Sequence, residues 1–131
     1  MTFADKLRNL REQKGYTQAE LAEAAGITTR TLQYYESGKR YPNNLSIAVK
    51  LADLLGTTSE RLLGEEGGLV LDAHERGGRT AGRELRSLVE GVSALFAGGE
   101  LTDEDRDAAM RALTTAYWIA KDGAKKYGNK K

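Results

Sequence analysis

The chain has no cysteine, a single proline and a single histidine. Without cysteine there can be no disulfide and no thiolate chemistry, which is compatible with a reducing cytoplasm, the expected location. One histidine with no cysteine excludes a His/Cys metal cluster, so His74 is expected at the surface of a connecting segment. No apolar run approaches the roughly 20 residues needed to span a membrane. The opening "MTFADKLRNL" lacks the basic region and apolar core of a signal peptide. An excess of one charge is missing too. The formal net charge is +1, with 9 Lys/Arg against 7 Asp/Glu in residues 1–64 and 11 against 12 in residues 65–131. A nucleic-acid partner would therefore have to be met by a local basic patch rather than by overall charge. Strand signals are nearly absent, the one short apolar run being "LVL" at 69–71.

What is present is helical periodicity, punctuated by caps and glycines. At 131 residues, 40% hydrophobic and 30% charged, the chain is expected to be globular, with one or two small domains. Five short helices are predicted first. One covers about 2–14, capped by Thr2 and stopped at Gly15, with Phe3, Leu7 and Leu10 as its apolar stripe. The next, about 18–25, opens on a capping box of Thr17 and Glu20 and ends at Gly26. The third, about 29–37, lies between Thr28 and Gly38. The fourth, about 44–55, follows Pro42 with Asn43 as its cap. The fifth, about 59–63, is capped by Thr58.

Beyond residue 63 the texture changes. "GEEGG" at 64–68 and "RGGRTAG" at 76–82 read as loose segments, with "LVLDAHE" between them as a possible short helix. Two longer helices follow, about 80–97 and 103–126. The second is capped by Thr102, and Asp103, Glu104 and Asp105 suit its positive N-terminal end. The short "GGE" between them forces an antiparallel hairpin. The resulting division is 1–64, a linker at 65–79, and a hairpin with a basic tail at 80–131.

The third helix is two-faced. A helix turns roughly 100° per residue, which puts Thr29, Arg30, Gln33, Tyr34 and Ser37 within an arc of about 140° and leaves Leu32 and Tyr35 opposite. The outer set suits DNA. Arg can donate a bidentate pair to guanine, Gln can do so with adenine, and a Thr methyl can touch thymine. Tyr34 offers a ring and a hydroxyl, and Lys39 and Arg40 follow where a duplex backbone would pass. A solvated helix face is the plain alternative. Two short helices joined by a tight Gly-containing turn favour a helix-turn-helix, whose second helix enters the major groove. Gln18 then sits where a side chain and helix N-terminal N–H groups can meet a phosphate.

"TQAELAEAAGI", "ESGKR.P" and "LADLLGTTSERLLG" carry a resemblance. Residues 7–64 resemble the Cro/cI-type, or XRE, helix-turn-helix regulators. The resemblance implies an all-α fold: a five-helix, lambda-repressor-like DNA-binding domain, here followed by the C-terminal antiparallel hairpin. It implies base-reading roles for Thr29, Arg30 and Tyr34, with Gln33 nearby, and DNA-backbone roles for Gln18, Lys39, Arg40 and Asn43; Thr28 and Ser37, at the two ends of the third helix, are expected to join the backbone set. It further implies a structural ion pair between Arg11 and Glu36. The adjacent tyrosines depart from the family pattern, since a small or charged residue is more usual at position 34.

The last two helices are too short to make a core of their own easily. Leu85, Leu88, Val92, Leu95 and Phe96 on the first, with Leu113, Tyr117 and Trp118 on the second, are expected to pair with the same hairpin of a second chain. The alternative is packing back onto the N-terminal domain. The tail "KDGAKKYGNKK", with five Lys, is expected to be solvated.

No chemistry-bearing constellation is found. "DEDRD" at 103–107 lacks the glycine and closing glutamate of a calcium loop. "GGRTAGRE" lacks the Lys-Ser/Thr ending of a phosphate-binding loop. The expectation is a non-enzymatic regulator without cofactor or membrane association: a homodimeric repressor on double-stranded DNA. The alternative is an antitoxin, or another regulator whose hairpin mainly binds a partner protein.

Overall fold

Thr2 starts the first helix by accepting from the Asp5 amide at 3.2 Å, while the Asp5 carboxylate accepts from the Thr2 amide. The computed structural model describes residues 2–95, 99 and 101–128, with residues 124–128 described by backbone alone. The elements are α1 (Phe3–Gln13), α2 (Gln18–Ala25), α3 (Thr29–Glu36), α4 (Leu45–Leu54), α5 (Ser59–Leu95) and α6 (Asp103–Gly128). There is no strand among the described residues.

The caps follow the expected pattern with one displacement. Thr17 and Glu20 form a reciprocal capping box on α2, and Thr28 accepts from the Thr31 amide at the start of α3. Thr58 accepts from the Arg61 amide, and Thr102 and Asp105 form a further capping box on α6. For α4 the cap is Asn44, not Asn43: its Oδ1 accepts from the Ile47 amide at 2.9 Å. Asn44 has the extended backbone a cap requires, which leaves Asn43 exposed in the turn.

The expected loose segments are helical. α5 is one run broken only at Gly64 (φ 69°, ψ −175°) and Gly78 (φ 78°, ψ −166°), which divide it into segments 59–63, 65–77 and 79–95. These dihedrals lie in a region essentially reserved for glycine, so each residue acts as a fixed corner rather than a flexible link. Gly67 serves a different purpose. It is buried, and a Cβ there would sit 3.1 Å from the Leu63 Cβ and 3.3 Å from the Tyr41 ring. Glycine composition signalled looseness. Its physical causes here are two bends and one close approach.

Packing explains why the bends are needed. Phe3, Leu7, Leu21, Leu32, Tyr35, Leu51, Leu55 and Leu62 form the core of the first five helical segments, and Leu71 from segment 65–77 joins them. The other side of segment 65–77 is covered by the hairpin. Val70 packs with Val89, Val92 and Met110, and Ala73 packs with Ala81, Leu85 and Trp118. Segment 79–95 and α6 run antiparallel, with Glu84 meeting Tyr117 and Lys121 at 2.8 and 2.7 Å. Leu85, Val92 and Trp118, expected between two chains, are therefore buried within one. Their periodicity marked them for burial without saying against what. Leu88, Leu95 and Leu113 are exposed and Tyr117 is half-buried, while Phe96 and the tail from 129 onward lie outside the described residues.

Candidate nucleic-acid interface

α3 is held from behind by a polar chain. Glu36, only 7% exposed, accepts from Arg11 Nε at 2.7 Å and from Arg11 Nη2 at 3.0 Å. Arg11 Nη1 also donates to the Tyr16 carbonyl at 2.9 Å. The bond to Glu36 raises the guanidinium pKa above its ordinary value despite partial burial. Glu36 Oε1 accepts in addition from Gln18 Nε2 at 3.2 Å, and Gln18 Oε1 accepts from Gln33 Nε2 at 3.4 Å. An ion pair inside the fold thus ends at two amide side chains on the surface.

Ahead of that chain lies the outer face of α3. Arg30 and Gln33 are exposed, and Thr29 and Tyr34 are half-buried. Arg30 Nε donates to Tyr34 Oη at 2.9 Å. The Tyr34 ring centroid lies 5.4 Å from the Arg30 guanidinium, 5.8 Å from Lys39 Nζ and 4.9 Å from the Arg40 guanidinium. Three cations are thereby gathered round one ring, within the range where the ring's quadrupole attracts them. The bond from Arg30, and then the nearby charges, push the phenol pKa below its ordinary value. Tyr35 points the other way, buried edge-on against Phe3 with centroids 6.0 Å apart. The adjacent tyrosines thus occupy opposite faces.

The residues expected at the DNA backbone surround this face. Thr28 is engaged as a cap, and Ser37 Oγ donates to the Tyr34 carbonyl at 3.1 Å. Lys39, Arg40 and Asn43 are exposed along the turn into α4.

One residue beyond the helix-turn-helix joins the set unexpectedly. Arg86, on segment 79–95, donates to the carbonyls of Gly38 and Lys39 at the end of α3. Its guanidinium also lies 5.7 Å from the Tyr41 ring centroid and pairs with Glu90 at 2.9 Å. A cation is favourable at the negative end of a helix. Arg79, Arg83 and Arg86 fall on one face of their segment, at spacings of four and three. That spacing was a legible signal; the loop it faces was not.

Among the described residues no helix is long and apolar enough to cross a membrane, and no cluster of metal-ligating side chains occurs.

Comparison with known proteins agrees with the geometry. The helix-turn-helix family matches residues 7–62. The chain is similar to the SPbeta prophage-derived uncharacterized HTH-type transcriptional regulator YonR of Bacillus subtilis, 38% identical over 47% of this chain and 56% of that protein. It is similar to the HTH-type transcriptional regulator AnsR of the same organism, 42% identical over 47% of this chain and 53% of that protein. It is also similar to the HTH-type transcriptional regulator ImmR, again from B. subtilis, 27% identical over 86% of this chain and 89% of that protein. The chain thus spans about half the length of the first two relatives and most of the third. No solved structure matches the chain significantly. Residues 7–62 thus carry the chain's similarity to XRE-type helix-turn-helix transcriptional regulators.

Proposed function

We propose that the protein is a sequence-specific, DNA-binding transcriptional regulator of the cytoplasm that acts as a repressor. It binds a near-palindromic operator as a homodimer and blocks polymerase by occupying it. The observation that carries the reading is the outer face of α3. Thr29, Arg30, Gln33 and Tyr34 stand together there, on a helix fixed from behind by Arg11 and Glu36. Arg30 and Gln33 supply the bidentate donors and acceptors that distinguish bases in the major groove, and Tyr34 orients Arg30. Gln18, Thr28, Ser37, Lys39, Arg40 and Asn43 set the register on the backbone.

A two-fold operator requires two heads roughly 34 Å apart. Support for a dimer comes from the side of α6 that faces away from α5. Ala108, Ala112, Leu113, Ala116, Ile119 and Ala120 are exposed there, within an arc of about 140°. Leu113 is 41% and Ile119 68% exposed, and between 108 and 123 that arc carries no charged side chain. An uncharged helix face of this kind marks an interaction surface. A second copy of the chain is the occupant that matches two-fold DNA.

The test is selection of bound sequences from random duplex DNA, with the protein's mass in solution measured in parallel. An enriched inverted repeat bound by a dimer is the expected outcome. No enrichment would defeat sequence-specific reading, and a monomer would defeat the two-fold arrangement.

A further inference from the structure

A cleft of about 470 Å³ separates the turn after α3 from segment 79–95. Lys39 and Arg40 line one wall, Arg79, Arg83 and Arg86 the other, and His74 lies between them. Among the described residues no carboxylate lines it. Arg86 is paired with Glu90 and donates to the carbonyls it holds. Arg79 and Arg83 make no ion pair among the described residues, nor do Lys39 and Arg40. Several cations facing one concavity repel each other, and a bound anion removes that repulsion. Burial first, and then the charge of Arg79, hold the His74 pKa below its ordinary value.

We propose that this cleft is a phosphate-binding site joining the recognition turn to the C-terminal helices. Its chemistry is that of guanidinium and ammonium groups on phosphate oxygens, with Arg79 and Arg83 as the principal donors. Lys39 and Arg40 belong both to the cleft and to the ring of cations round Tyr34. A phosphate group held there therefore acts directly on the DNA-reading face. The group comes either from the operator backbone beyond the half-site or from a small phosphorylated molecule. The second source would compete with DNA for Lys39 and Arg40 and weaken operator binding by linkage.

The experiment compares the full chain with the Arg79→Ala/Arg83→Ala double variant. Arg86 is left intact because it holds α3. In the first arm, inorganic pyrophosphate is titrated against sodium chloride at matched ionic strength, with melting temperature and the His74 imidazole resonances as readouts. Pyrophosphate-specific stabilisation with a shift of His74, both lost in the double variant, supports the site and a small-molecule source. In the second arm, selected operators are tested with and without about ten base pairs of flanking duplex, one helical turn. A double variant that loses affinity only for the flanked duplex, with its salt slope reduced by about two, supports the site and the backbone as source. Wild-type behaviour of the double variant in both arms overturns the proposal. Only the second arm rests on the DNA-binding reading. Failure of that reading leaves pyrophosphate binding intact, whereas failure of the cleft leaves Arg30-dependent operator recognition intact.

Discussion

Arg11 of α1 and Glu36 of α3 meet at 2.7 Å, and the carboxylate of that pair also accepts from Gln18 at 3.2 Å. One buried acid thus joins three helices. Removing the Arg11 side chain strands Glu36 as an uncompensated charge, and Arg11→Ala should destabilise the protein by about 3–5 kcal/mol. Urea denaturation measures this. The double variant Arg11→Met/Glu36→Leu removes both charges and should recover a substantial part of the loss. Equal destabilisation of both variants would mean that shape rather than charge matters at this position.

Arg30 points outward, so its removal should affect recognition rather than stability. Arg30→Ala should weaken binding to the selected operator by about 1–3 kcal/mol while leaving random duplex binding nearly unchanged. Titrations of both DNAs at one salt concentration decide this. Equal losses on the two would assign Arg30 to the phosphate backbone. Tyr34→Phe, which removes only the hydroxyl that accepts from Arg30, should have a smaller effect in the same direction.

Leu113→Asp with Ile119→Asp places two charges on the outer face of α6 and disturbs none of the buried contacts. Sedimentation should show a dimer for the wild type and a monomer of unchanged melting temperature for the variant. Deleting the hairpin would be a poorer test, because Val70 and Ala73 would lose their cover.

Two glycines of α5 should respond with opposite signs. At Gly78 (φ 78°, ψ −166°) an alanine is strained, and Gly78→Ala should cost about 1–3 kcal/mol. Gly68 lies inside a helical segment and a Cβ there meets nothing within 4 Å. Gly68→Ala should therefore stabilise by about 0.5–1 kcal/mol. Denaturation of both variants checks the pair, and a destabilised Gly68→Ala would contradict the helical assignment of 65–77.

His74 has a depressed pKa in the folded chain, caused first by burial and then by Arg79. The unfolded chain therefore binds the proton more readily. Stability should be complete above about pH 6.5 and decline as pH falls through that value toward the lower folded one. The lowered carboxyl groups of Asp5, Glu20 and Glu84 act in the same direction but in a more acidic window. His74→Gln should flatten the dependence near pH 6 in urea melts.

Local chemistry was the legible part. Thr2, Thr17, Thr28, Thr58 and Thr102 were identifiable as caps because a cap involves residues two or three positions away. Asn43 and Asn44 are chemically identical neighbours after Pro42, and only backbone dihedrals separate the cap from its neighbour. The outward set on α3 followed from helical geometry. The state of 64–82 did not, because glycine serves flexible links, sharp corners and close contacts alike. Leu63 and Tyr41, which reveal the close contact at Gly67, are placed against it only by the fold. The cleft was hidden for the same reason: Arg86 and Lys39 are 47 positions apart in the chain.

The grip of Arg86 on the carbonyls of Gly38 and Lys39 bears on modularity. A helix-turn-helix is commonly treated as an interchangeable head that can be cut away and grafted onto another body. Here the turn at the end of α3 is fastened by a side chain from the body. A chimaera joined at residue 64 would inherit α3 without its fastening, and a foreign head placed on this body would meet an arginine shaped for another turn. Head and body of this protein are joined at that turn, and a change at Gly38 or Lys39 is felt on segment 79–95 as well.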